Sequence, residues 1–159
     1  MKKNKNILFL VYGPGGHREQ AKRLIEFINA ENYIVEFTEF DVKPIKEGSK
    51  VIRCKSFKTK YSINKFSLML SFFYQFIISL YYLVKIKPKK IISTGPIIGV
   101  IPILLGKLFG IQTIFIESWS RFYSKSISGK FCYGYVDKFL IQNEELKSIY
   151  PEAIYVGRL

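Results

Sequence analysis

Ile7-Leu8-Phe9-Leu10-Val11-Tyr12-Gly13-Pro14-Gly15-Gly16-His17-Arg18 is the stretch that decides the fold. Its first five residues are short and continuously apolar, the pattern of a parallel strand buried on both faces. After the glycines, Glu19, Gln20, Ala21, Lys22, Arg23 and Leu24 are good helix formers, with Leu24, Ile25 and Ile28 at helical spacing. Strand, glycine loop, helix is the opening unit of an α/β nucleotide-type domain, and the amides at such a helix start favour an anion. A Walker loop would end in Gly-Lys-Ser/Thr, and a dinucleotide loop would need glycine where Arg18 stands. The glycines taken alone also fit a tight strand-to-helix turn. His17 is the sole histidine and falls at the helix N-terminus, where the dipole favours the neutral ring that a general base requires.

Outward from this unit, Tyr33 to Phe40 and Val51 to Cys54 read as strands on either side of a polar loop. Further strands are expected at Lys90 to Thr94, Ile111 to Ile116, Lys138 to Ile141 and Ile154 to Val156. Helices are expected over about Ile97 to Phe109, Ser128 to Tyr135 and Glu144 to Tyr150. This alternation implies one α/β domain over residues 1–159, a Rossmann-like parallel sheet with helices on both faces. Ligands in such sheets bind beyond the carboxyl ends of the strands. Three loops reach that edge: Gly13 to Arg18, Ser93 to Pro96 and Glu117 to Arg121. They supply Gly13, Gly15, Gly16, His17, Arg18, Thr94, Gly95, Pro96, Glu117, Ser118 and Arg121 as candidate site residues.

Composition narrows the partners. The 25 Lys/Arg against 12 Asp/Glu give a net charge of +13 in 159 residues, so an anionic partner is expected. Cys54 and Cys132 match no zinc or redox spacing and read as free core thiols; no metal is expected. The basic start Met-Lys-Lys-Asn-Lys-Asn is followed by an apolar run too short for a signal peptide, and the chain is not expected to be exported.

Between Lys43 and Lys90 stand twelve Lys/Arg and a single acid, Glu47. Inside this basic frame, Phe66 to Val84 carries no charge. As a helix it would be ~28 Å long, close to the ~30 Å hydrocarbon core of a bilayer. Ser67, Ser71, Gln75 and Ser79 recur every four residues and place a weakly polar stripe on one side, fit to face protein. Lysines flank both ends. That length leaves a single transmembrane span open, but the polar stripe and the lysines at both ends better suit a helix lying at a membrane interface, with Phe66, Phe72, Phe73, Phe76 and Tyr81 toward the acyl region. Lys65, Lys85 and Lys87 would meet anionic headgroups. A buried crossover helix would explain the aromatics but not the dense basic flanks. Nucleic acid is not expected, because the aromatics form one uncharged block rather than interleaving with the lysines.

Gly-Gly-His at 15–17, Ser-Thr-Gly-Pro at 93–96, Phe-Ile-Glu-Ser at 115–118, Ser-Gly-Lys at 128–130 and the terminal Tyr-Val-Gly-Arg-Leu together resemble a glycosyltransferase subunit family. It is the membrane-anchoring subunit of the two-chain UDP-N-acetylglucosamine transferase of dolichol-linked oligosaccharide synthesis, with bacterial relatives in capsule and exopolysaccharide synthesis. The peptidoglycan lipid-intermediate N-acetylglucosaminyltransferase is similar more distantly. The resemblance implies the N-terminal half of a GT-B enzyme, without cofactor, whose UDP-sugar is held mainly by a second chain. It implies a polyprenyl-pyrophosphate-linked acceptor, a place on the cytoplasmic face of the membrane, and weak activity alone. By matched position, Gly13 to His17 form the acceptor loop, Gly95 and Pro96 the second loop, and Glu117 the strand-end carboxylate. The family's eukaryotic members carry an N-terminal transmembrane helix, so membrane contact is expected here from Phe66 to Val84. His17, or failing that Glu117, would be the base, with Glu117 otherwise orienting the loops. A non-catalytic membrane scaffold that activates a catalytic partner is the alternative.

Overall fold

The computed structural model describes residues 6–28, 33–55 and 65–159, with residues 65–68 described by backbone alone. Strands β1 (Ile7–Val11), β2 (Tyr33–Glu39), β3 (Lys50–Cys54), β4 (Lys90–Ser93), β5 (Gln112–Ile116), β6 (Lys138–Ile141) and β7 (Ile154–Tyr155) form one sheet. Its order is β3-β2-β1-β4-β5-β6-β7, and every pairing is parallel. The chain winds outward from β1 to β3, then crosses back to β4 on the other side of β1. The order therefore reverses between β1 and β4, where the loops leaving the two strands part and open a crevice.

Two apolar layers flank the sheet. Helix α1 (Gly16–Glu26) lays Ala21, with Leu24 and Ile25, on Leu8, Leu10, Ile34, Ile92 and Ile116. On the opposite face lie α2 (Lys65–Ile86), α3 (Val100–Leu108) and α4 (Ile127–Cys132). There Leu83, Ile103, Leu105 and Cys132 meet Phe9, Val11, Val35, Phe37, Ile91 and Phe115. Period-two alternation along each strand thus sends successive side chains to the two layers. Cys54 and Cys132 are free and buried, and burial pushes both thiols up to about 12.

Local chemistry sets the element ends. Ser126 caps α4 by accepting from the Gly129 amide at 2.8 Å. Pro102 lies in the first turn of α3, where a missing N–H costs nothing, and Pro88 follows the end of α2. Some expected helices are tighter or shorter: Ile97–Gly99 and Glu144–Ser148 are 3₁₀ turns, and α4 stops at Cys132, just before Gly134 takes a φ of 86°.

Helix α2 is amphipathic in the inverted sense. Gln75 and Ser79 of the expected polar stripe are fully buried with Leu83, and Ser71 is half-buried. Gln75 donates through Nε2 to the Ile98 carbonyl, fastening α2 over the turn before α3. The opposite side exposes Met69, Leu70, Phe72, Phe73, Phe76, Ile77, Tyr81 and Val84, with Phe73 64% accessible. Lys85 and Lys87 are exposed at its C-terminal end, and the Lys85 ammonium lies 5.1 Å from the Tyr81 ring centre. The window Met69–Ile86 has a mean hydropathy of 1.5 over 18 residues, long and apolar enough to cross a bilayer. The side chains of Lys65, Phe66 and Ser67, and residues Lys58 and Lys60, lie outside the described residues.

Candidate functional site

The crevice at the β1/β4 switch is a cleft of about 490 Å³. His17, Gly95, Pro96, Ser118 and Arg121 line it together, so the three loops do meet at one rim. Ser120, Ser126 and Ser128 add hydroxyls, and Phe72, Ile97, Ile127 and Phe131 make an apolar wall.

His17 is locked by a reciprocal pair of bonds across the switch. Its Nδ1 lies 2.6 Å from the Thr94 carbonyl oxygen. A carbonyl only accepts, so Nδ1 carries the proton, and a neutral ring holds its lone pair on Nε2. In return the Thr94 hydroxyl donates to the His17 carbonyl at 2.9 Å. Thr94 is itself buried, its amide bonded to the Val11 carbonyl at 3.1 Å, so it clamps the imidazole from below.

Two glycines allow this approach. Gly95 has a φ of 93°, and a Cβ there would sit 3.1 Å from the Ile116 carbonyl and 3.4 Å from the imidazole. Gly15 starts α1 with a φ of 63°, and among the described residues no side chain caps that helix. Gly13 and Gly16 stand close to Pro96 and Trp119, respectively.

Glu117 is bonded to the segments around the cleft rather than presented to it. Its side chain is fully buried and turned away from the cleft. One carboxylate oxygen accepts from the Ser118 amide at 2.9 Å, and the other from the Ser126 hydroxyl and Tyr150 Oη, each at 2.9 Å. These bonds tie the β5 loop to α4 and to Tyr150. Burial, then the Glu117 charge, drives the Tyr150 hydroxyl far above its ordinary pKa, so it remains a donor. A Cβ on Gly129 would overlap both the carboxylate and Tyr150 Oη.

Arg18, also a candidate, does not line this cleft. Its guanidinium is held by the Lys43 and Pro44 carbonyls at 2.9 and 3.1 Å, beside a separate depression outside the cleft. The five-donor fork found acceptors in the neighbouring loop. Arg121 does reach the cleft, with Nη1 3.1 Å from Ser124 Oγ, while Asn143 fixes its loop by donating to the Trp119 and Arg121 carbonyls.

Two carboxylates escaped the sequence reading. Glu39, at the end of β2, lines the cleft, with Oε1 3.7 Å and His17 Cδ2 3.8 Å from the Cβ position of Gly13. Its place at a strand end beside the switch was the available signal. Glu36, fully buried, gathers the Tyr12 and Ser49 hydroxyls and the Ile45 and Lys46 amides, the last two at 2.9 and 3.0 Å. It thereby shapes the loop that holds Arg18.

Comparison with known proteins agrees with this architecture. The mouse protein named UDP-N-acetylglucosamine transferase subunit ALG14 is 27% identical over 179 residues, covering 96% of this chain and 82% of its own. The human protein of that name is also 27% identical, over 178 residues with the same coverage. The Schizosaccharomyces pombe protein is 34% identical over 77 residues, 44% of this chain and 36% of its own. Among solved structures, Acinetobacter baumannii MurG matches with a TM-score of 0.66 at 10% identity, over 87% of this chain and 41% of that one. UDP-GlcNAc 2-epimerase from Methanocaldococcus jannaschii matches with a TM-score of 0.63 at 13% identity, over 96% and 45%. This chain spans less than half of either solved structure. At such identities the likeness is one of fold, the parallel sheet resembling the N-terminal domain of GT-B glycosyltransferases. The sequence description "Oligosaccharide biosynthesis protein Alg14 like" matches residues 37–159, and the chain belongs to that Alg14-like family.

Proposed function

We propose that this Alg14-like chain is the acceptor-side subunit of a two-chain, inverting UDP-sugar glycosyltransferase working at the cytoplasmic face of a membrane. It docks through the outward face of α2, presents a polyprenyl-pyrophosphate-linked acceptor in the cleft, and recruits a second chain that holds most of the UDP-sugar. Assembly of a capsule or exopolysaccharide repeat is the setting in which such an acceptor would be consumed. The relatives named as UDP-N-acetylglucosamine transferase subunits support the sugar-nucleotide chemistry.

One observation carries the reading: the His17–Thr94 clasp lies in a cleft that runs from the β1/β4 switch to Phe72 on α2. A lipid-borne acceptor has to reach the catalytic base from the bilayer side, and this route provides it. His17 Nε2 removes the proton from the acceptor hydroxyl as that oxygen attacks the donor's anomeric carbon. UDP departs on the partner's side with the electron pair of the broken C–O bond. Glu39 accepts hydrogen bonds from acceptor hydroxyls, the start of α1 faces the pyrophosphate, and Glu117 positions the loops without touching substrate.

Gln75, Ser79 and Leu83 are engaged by the protein, so one side of α2 is left for lipid. That arrangement suits a helix lying in one leaflet. The test is reconstitution of the chain with its co-purified partner on anionic vesicles carrying prenyl-diphosphate acceptor, with a panel of UDP-sugars. Transfer is expected only with both chains present. Full transfer by the partner alone, or none by the pair with any donor, would reject the proposal.

A further inference from the structure

The cleft has two kinds of lining. Hydroxyls, His17, Glu39 and the exposed Arg121 supply polar groups, and Phe72 of α2, Ile97, and Ile127 and Phe131 of α4 make an apolar wall. Ile127 is 68% exposed and Phe131 55% exposed, on a six-residue helix whose Ser128, Gly129 and Cys132 face inward. Two large apolar side chains held outward on so short a helix gain nothing from the core. They are held there firmly, because α4 is capped by Ser126, and Ser126 is bound in turn by the buried Glu117.

We propose that the wall formed by Ile127, Phe131 and Phe72 binds the first isoprene units of the acceptor, with Arg121 at the diphosphate. This rests on the acceptor-side function above and assigns the part of the substrate that the wall selects. Polar groups, a cation and an apolar wall share this cleft, and Phe72 joins the wall to the outward face of α2, a combination that suits a lipid diphosphate sugar. A water-soluble sugar acceptor would leave the wall unused. The wall continues through Phe72 onto the apolar side of α2, so the tail passes into the leaflet without crossing water. The occupant is therefore a prenyl chain rather than a protein segment, and the wall sets specificity at the phosphate-proximal end of the tail.

The single tryptophan, Trp119, stands between the cleft-lining Ser118 and Ser120 and reports binding by fluorescence. The full chain is titrated with inorganic diphosphate, isopentenyl diphosphate and farnesyl diphosphate below their aggregation limits. Each additional buried methylene favours binding, so farnesyl diphosphate is expected to bind at least about tenfold more tightly than inorganic diphosphate. Ile127→Ser with Phe131→Ser should reduce that ratio to within about twofold while diphosphate affinity is retained. Equal affinity for all three ligands in the unaltered chain overturns the inference whether or not the variants fold. So does a chain-length gain that survives the double substitution. If diphosphate binds but the tail adds nothing, the tail assignment fails and the acceptor-side function stands. If neither inorganic nor farnesyl diphosphate binds, both fail.

Discussion

Phe73 offers the sharpest perturbation of the membrane face. A phenylalanine side chain presents on the order of 200 Å², and Phe73 keeps 64% of its surface accessible, leaving about 130 Å² of apolar area. At ~25 cal/mol per Å², complete transfer into hydrocarbon is worth ~3 kcal/mol. A helix lying at the interface buries most of that side, so Phe73→Ser is expected to lose ~2 kcal/mol of partitioning, about thirtyfold. The assay is flotation of purified chain with phosphatidylglycerol-containing vesicles over a lipid titration. Phe27, 78% exposed just after α1 on the opposite face of the sheet, provides the control, and Phe27→Ser should leave partitioning unchanged. Neither substitution touches the core, so both variants should keep the unaltered thermal transition. A loss of less than threefold for Phe73→Ser, or an equal loss for Phe27→Ser, would refute the assignment of α2 as the docking face.

Two further predictions concern what holds the site and the sheet. Gly129→Ala places a methyl group where Glu117 and Tyr150 meet, and overpacking of this kind costs about 1–3 kcal/mol; chemical denaturation should show it, together with a disturbed Trp119 environment. Asp137 is held below its ordinary pKa, chiefly by the Lys107 ammonium and then by the Thr113 amide. A depressed carboxylate stabilises the fold fully above its unfolded value of ~3.9 and loses that contribution as pH falls through the folded value. Asp137→Asn should therefore cost about 1 kcal/mol at pH 7, already discounted for the 33% exposure of its side chain. Denaturation midpoints of variant and parent should converge as the pH falls through the folded value of Asp137.

The apolar strands were legible because each is short, continuous and bounded by glycine, proline or charge. The inverted helix was legible too, since serine and glutamine every four residues in an uncharged aromatic segment mark the side that meets protein. What the chain could not announce was the direction of its strand-end glutamates. Glu39 ends one strand and Glu117 follows another, so the two look alike in sequence, yet one lines the cleft and the other is buried. Glu117 turns inward because Ser126 and Tyr150, nine and thirty-three residues away, bring donors to it. Arg18 was similarly captured by carbonyls of a loop more than twenty residues on. Such choices are settled by three or more segments meeting at once, which periodicity within a single segment does not encode.

In the proposed mechanism this chain contributes the base as well as the platform. Turnover of the reconstituted two-chain enzyme on lipid-linked acceptor with His17→Ala separates the two roles. A fall in kcat of about 10²–10⁴-fold is expected, with partner association and vesicle binding unchanged. Turnover within twofold of the unaltered pair would contradict it and leave the chain a scaffold.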